Sequence, residues 1–113
     1  MDFFVGMDIV EISRFAEARH FERVAELVLS QNEQAAMRAC PDQAQYLASR
    51  FAAKEAVIKA LPESAHFQDF EILKDGLKPA VKGLNQSLSV YKISVSLTHS
   101  QIFAGACALV ILP

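Results

Sequence analysis

The stretch Arg50-Phe51-Ala52-Ala53-Lys54-Glu55-Ala56-Val57-Ile58-Lys59-Ala60-Leu61 constrains this chain more than any other. Its periodicity is helical, but its apolar residues do not keep to one stripe. Leu47, Phe51, Ile58 and Leu61 mark one face, and alanines with Val57 occupy the rest. A helix that is apolar all round is normally enclosed by other elements. This one nevertheless carries Arg50, Lys54, Glu55 and Lys59, residue types seldom buried without a partner or a task. Its alanines would let another backbone or a ligand come close. Glu55 and Lys59 stand one turn apart in the order that favours an ion pair, so a helix salt bridge is the plain reading of those two.

Enclosing such a helix requires other layers, and the flanking sequence supplies them. Phe3–Val10 is apolar and reads as a buried strand interrupted by Asp8. From Glu11 a helical pattern begins, with Ile12, Phe15 and Ala16 at helical spacing, and a second helical stretch covers Phe21–Leu29. Ser30 with Glu33 forms an N-capping box, which predicts a third helix through Met37, broken by Cys40-Pro41-Asp42. The central helix is expected over Gln43–Leu61, closed by Pro62. After it the period changes to two. Phe70–Leu73 and Lys78–Val81 flank the turn signal Asp75-Gly76, which predicts a hairpin. Lys92–Thr98 alternates as a half-buried strand, and Phe103–Leu112 reads as a strand apolar on both faces. With 113 residues there is room for one domain, residues 1–113, and the element order predicts an α+β fold with an antiparallel sheet.

Charge and composition narrow the function. The net charge of −2 provides no basic field of the kind that drives nucleic-acid binding. The longest apolar stretch, Ile102–Leu112, is too short to span a bilayer as a helix. The N-terminus lacks the pattern of a signal peptide, and the expected setting is the cytoplasm. Cys40 and Cys107 have no metal-ligand spacing, and Cys107 is expected to be a buried small hydrophobe.

Two positions break the apolar pattern. In strand geometry Asp8 shares a face with Phe4, Gly6 and Val10, where an ionised carboxylate is costly unless a cation or donors meet it. Alternatively, the strand ends at Met7 and Asp8 caps the next helix. His99 follows the parity of Ile93, Val95 and Leu97, which points it to the apolar side as the strand ends. Two acids, several cations and a histidine at the ends of apolar elements are an inventory for a magnesium ion holding a diphosphate.

The residues that carry these features resemble the bacterial holo-acyl-carrier-protein synthases. Gly6-Met7-Asp8-Ile9-Val10-Glu11-Ile12-Ser13-Arg14 resembles the family's N-terminal Gly-X-Asp-Ile-X-Glu motif with a following basic residue. Arg50–Leu61 resembles its central signature, and Val95-Ser96-Leu97-Thr98-His99-Ser100 its C-terminal block. The resemblance implies a 4′-phosphopantetheinyl transferase-like fold and transfer of 4′-phosphopantetheine from coenzyme A to a serine of apo acyl carrier protein. It further implies release of 3′,5′-ADP, dependence on Mg2+, and a homotrimer with each site between subunits. Asp8 and Glu55 are implied as metal ligands and Lys59 as a contact to the diphosphate, these three being the catalytic set. Arg50, Lys54, Lys59, His99 and Ser100 are implied to line the coenzyme A site, with His99 and Ser100 near the nucleotide phosphate. Arg14 and Arg23 are implied to face the carrier protein. Either Glu55 or a metal-bound water held by Asp8 is the base for the carrier serine.

The chain departs from the family pattern in three places. Leu61–Phe67, after the central helix, has no glycine where the family has a glycine-rich loop, and Glu63 there would repel a phosphate. Pro41-Asp42-Gln43 stands where a basic residue is frequent, and Ser94 where histidine is frequent. An alternative reading of a different class follows: a transferase-like module that binds a carrier protein with little catalysis of its own.

Overall fold

The computed structural model describes residues 1–113. In chain order the elements are β1 (Phe3–Glu11), α1 (Ser13–Ala16), α2 (Phe21–Val28), α3 (Gln31–Arg38), α4 (Gln43–Ala60), β2 (Phe70–Asp75), β3 (Lys78–Gly83), β4 (Lys92–His99) and β5 (Phe103–Ile111). Short 3-10 turns occupy Phe67–Asp69 and Gln86–Leu88. The fold is α+β, as the element order predicts. The main sheet is antiparallel with the order β1-β5-β4, and β2 and β3 form a separate hairpin. The hairpin turns at Gly76, whose φ of 65° suits a residue without a Cβ.

Local chemistry sets the helix boundaries. The Ser30 hydroxyl accepts from the Glu33 N–H, and Glu33 Oε1 accepts from the Ser30 N–H, completing the capping box that starts α3. The Asp42 carboxylate accepts from the Gln45 N–H at the start of α4, and the chain turns extended at Leu61, ahead of Pro62.

Helix α4 lies across the inner face of the main sheet, where Ala104, Ala106, Ala108 and Val110 of β5 and Val10 of β1 are buried. Small residues bring the two layers together. A Cβ at Gly6 would collide with the carbonyl oxygen of Ala56 and stand 3.1 Å from the Ala60 nitrogen. The approach is backbone to backbone, as the alanine-rich helix suggests.

The outer face of this sheet is open. Phe3, Val5, Met7 and Ile9 of β1 are exposed, Met7 and Ile9 each by 67%. The register pairs Met7 with Cys107 and Val5 with Leu109, so β5 continues the same apolar surface. Two expectations are corrected here. β1 is buried on one face only, and Cys107 is exposed because its parity in β5 is opposite to that of the buried alanines. No helix is long and apolar enough to cross a membrane.

Candidate functional site

β1 continues to Glu11, so Asp8 stands within a strand and does not cap the helix after it. Its carboxylate lies on the inner face between Gly6 and Val10, with 17% of the side chain exposed. Lys59 Nζ is 3.1 Å from Asp8 Oδ1 and donates to the Met7 carbonyl oxygen at 2.9 Å. The other carboxylate oxygen, Asp8 Oδ2, is buried and has no hydrogen-bond partner. A buried carboxylate oxygen left unpaired is costly, and a bound cation would satisfy it.

Glu55 stands one turn before Lys59. Gly6 packs at Ala56 and Ala60, while the Phe15 ring, beyond the end of β1, meets Phe51 at 5.2 Å between centroids. β1 therefore runs antiparallel to α4, and Asp8 falls at the level of the turn that holds Glu55 and Lys59. The Glu55–Lys59 salt bridge expected from spacing does not form, because the ammonium is drawn across to Asp8. Glu55 is half-buried and engages in neither of the two salt bridges of the chain. No three His, Cys, Asp or Glu side chains cluster. Two carboxylates with a free buried oxygen fit a hard divalent cation that takes its other ligands from water and substrate phosphates.

The other cations of α4 are placed differently. Lys54 is fully buried and paired with Glu33 at 2.7 Å. Its Nζ also donates to the carbonyl oxygens of Val28 and Phe67, each at 2.8 Å. All three ammonium donors are thereby used, and burial holds its pKa below the ordinary lysine value in spite of Glu33. In this arrangement Lys54 has no donor to offer a ligand. The side chain ties α4 to the end of α2 and to the segment after α4. Arg50 is also buried, with Nε donating to the Ile72 carbonyl oxygen at 2.9 Å and the guanidinium 4.6 Å from the centroid of the Tyr46 ring.

Near the open end of β4, His99 and Ser100 are exposed. Gln45 Nε2 lies 3.2 Å from His99 Nδ1. The Ser100 hydroxyl accepts from the N–H groups of Ile102 and Phe103 and so shapes the β4–β5 turn. Glu63, in the glycine-free loop, accepts from the Tyr91 hydroxyl at 2.6 Å, and this bond raises the Tyr91 pKa. Arg14 reaches over the Phe15 and Phe51 rings and borders a groove of about 450 Å³ with Ile9, Glu11, Glu17 and Phe103. Arg23 borders a different hollow, with Arg19, Glu22 and Glu26.

Sequence reasoning missed the polar group behind this site. Glu33 accepts from Ser30, Lys54 and the Ile72 N–H, and Glu71 accepts from Ser30 and Asn32. The capping box identifies Glu33 but leaves its second oxygen unassigned, and that oxygen was the available clue.

The match to a known family covers nearly all of these elements. Residues 4–108 fit the model of the 4′-phosphopantetheinyl transferase superfamily. The chain belongs to that superfamily. A holo-[acyl-carrier-protein] synthase of Bacillus pumilus is 38% identical over 114 residues, covering 94% of this chain and 93% of the relative. The crystal structure of a Bacillus anthracis holo-(acyl-carrier-protein) synthase in complex with CoA (3′,5′-ADP) superposes with a TM-score of 0.84 at 26% identity, over 97% of this chain and 96% of that one. A Helicobacter pylori holo-[acyl-carrier-protein] synthase in complex with coenzyme A gives a TM-score of 0.81 at 26% identity, over 95% and 99%. The fold of this transferase-family chain and its full-length likeness to these synthases thus agree with the three sequence blocks.

Proposed function

We propose that the protein transfers 4′-phosphopantetheine from coenzyme A to a serine of an apo acyl carrier protein, releasing 3′,5′-ADP. The observation that carries this reading is the unpartnered Asp8 Oδ2 beside Lys59, with Glu55 one turn away. Asp8 and Glu55 would hold a magnesium ion, which when bound supplies charge neutralisation to the diphosphate. Lys59 has two of its three donors engaged and a half-exposed side chain, so it can offer an N–H to the transferring phosphoryl group. Phosphoryl transfer depends on positioning and electrostatics more than on covalent help, and this site offers both. Glu55 is uncommitted and is one candidate to receive the serine proton; a metal-bound water held by Asp8 is the other. Arg50, His99 and Ser100 belong to the coenzyme side of the reading. Lys54 contributes by fixing the Phe67 carbonyl at the end of the loop after α4. Arg14 and Arg23 belong to the carrier side.

The reading includes a homotrimer in the cytoplasm. The exposed apolar face of β1 and β5 supports association of copies, since such a surface is costly in water. Cys40 and Cys107 are free, as suits a reducing compartment.

The test is incubation with apo carrier protein, coenzyme A and magnesium, followed by mass spectrometry for the added arm. Modification is expected, and it should vanish with chelator and in Glu55→Ala. Lys59→Ala should slow transfer more than it weakens carrier binding. Carrier binding without modification, across several carrier proteins, would replace the enzyme by a docking module.

A further inference from the structure

We propose that Gln68 is a positioning residue for the carrier protein: its side-chain amide caps α2 from outside and so fixes the helix that presents Arg23. The carrier half of this proposal rests on the function proposed above; the capping half stands on the hydrogen bonds alone.

α2 has eight residues, too few to hold a helix by propensity. Its own sequence provides no stop. No residue of the last turn is basic, Glu26 adds an acid near the negative end, and the chain leaves through Leu29 and Ser30 without a glycine. The Leu29 N–H closes the last helical bond, to Ala25, so the carbonyls from Glu26 to Leu29 have no donor within the helix. Side chains from other elements meet all four. Gln68 Nε2 lies 2.9 Å from the Glu26 oxygen, 3.3 Å from that of Leu27 and 2.9 Å from that of Leu29. Lys54 Nζ donates to the Val28 oxygen at 2.8 Å, and Gln34 Nε2 also reaches the Leu29 oxygen, at 3.2 Å. A carbonyl oxygen only accepts, so the end of the Gln68 amide that faces three of them is its nitrogen.

Gln68 sits in the turn that ends the loop after α4, and Phe67 beside it is held separately. The Phe67 carbonyl oxygen accepts from Lys54, and its ring meets Phe51 at 5.5 Å between centroids. Phe51 in turn packs on Phe15 of α1, with the Arg14 guanidinium over the Phe51 ring. Loss of the Gln68 amide therefore frees the end of α2 and leaves the loop and α1 in place. Arg23 is exposed on α2 and joins neither salt bridge of the chain, so its position follows the helix alone.

Substitutions at Gln68 separate the donor from the bulk. Gln68→Met keeps the length and removes the donor. Gln68→Glu keeps the shape and turns a charged acceptor on the carbonyls, whereas Gln68→Arg restores donors and suits the negative helix end. Hydrogen exchange of the full chain without substrates, read on peptides covering α2, should be roughly ten-fold faster in Gln68→Glu, less so in Gln68→Met, and close to wild type in Gln68→Arg. Calorimetry with an apo acyl carrier protein that the wild type modifies should show binding weakened in the same order, roughly ten-fold for Gln68→Glu, while coenzyme A binding stays within about two-fold. In an Arg23→Ala background, Gln68→Glu should weaken the carrier no further. Unchanged α2 exchange in Gln68→Glu overturns the cap. Equal weakening of coenzyme A and carrier overturns the positioning role, as does a full loss that persists in the Arg23→Ala background. A wild type that modifies no carrier protein overturns the functional reading and the carrier half with it. The exchange is measured without ligand, so the two failures are distinguishable.

Discussion

Lys54→Met removes a buried ammonium and leaves its surroundings otherwise the same size. Glu33 and Lys54 are both fully enclosed, 2.7 Å apart, and deletion of one partner of such a pair costs about 3–5 kcal/mol. The carbonyl oxygens of Val28 and Phe67 lose their donor in the same step. With a urea slope of about 1–3 kcal/mol/M, the unfolding midpoint should fall by on the order of 2 M. Isolated buried pairs can often be replaced by two apolar residues without loss, but this pair differs. Glu33 also accepts from the N–H groups of Ser30 and Ile72, each at 2.8 Å. The double variant Glu33→Leu, Lys54→Met therefore orphans two donors and two acceptors, at about 1–3 kcal/mol each. It should be no more stable than Lys54→Met alone. Urea unfolding followed by circular dichroism, at one fixed protein concentration, measures both variants. A loss under about 1 kcal/mol for the single variant, or recovery in the double, would refute the reasoning.

Three further outcomes are expected. Gly6→Ala places a Cβ against backbone atoms of α4, which cannot rotate away, and should cost at least about 1–3 kcal/mol in the same unfolding assay. The Tyr46 hydroxyl is buried without a partner, and burial raises its pKa above the ordinary 10.0; stability from this group is full below pH 10.0 and is lost as pH rises through the folded value. Tyr46→Phe should therefore be within about 1 kcal/mol of wild type at pH 7 and should flatten the decline above pH 10.0 in alkaline unfolding curves. Met7→Glu puts a charge in the middle of the bare sheet face and should lower the molecular mass seen by analytical ultracentrifugation; an unchanged association state would remove that face from the interface.

The legible parts of the fold are those encoded by neighbouring residues. Ser30 with Glu33, Asp42 before Gln43, Pro62 and Asp75-Gly76 each set a boundary within a few positions of where the backbone changes. Strand order was not legible, because the pairing of β1 with β5 joins residues about a hundred positions apart and has no local signal. The same distinction runs through the site. The four charges of α4 were conspicuous as misfits in an apolar helix, but which of them turn inward depends on partners far along the chain. Lys59 leaves Glu55 for Asp8, and Lys54 meets Glu33. Cys107 shows the opposite error: an apolar run on both sides of a strand says nothing about which face another chain segment covers.

Gly6 has no side chain and touches no reacting atom, yet it stands two positions from Asp8 on the strand that α4 presses against. Its missing methyl sets the gauge between strand and helix, and with it the reach from the Asp8 carboxylate to the Lys59 ammonium. A mutational scan scored on turnover alone would rank this glycine beside the charged residues and mistake a spacer for a reagent.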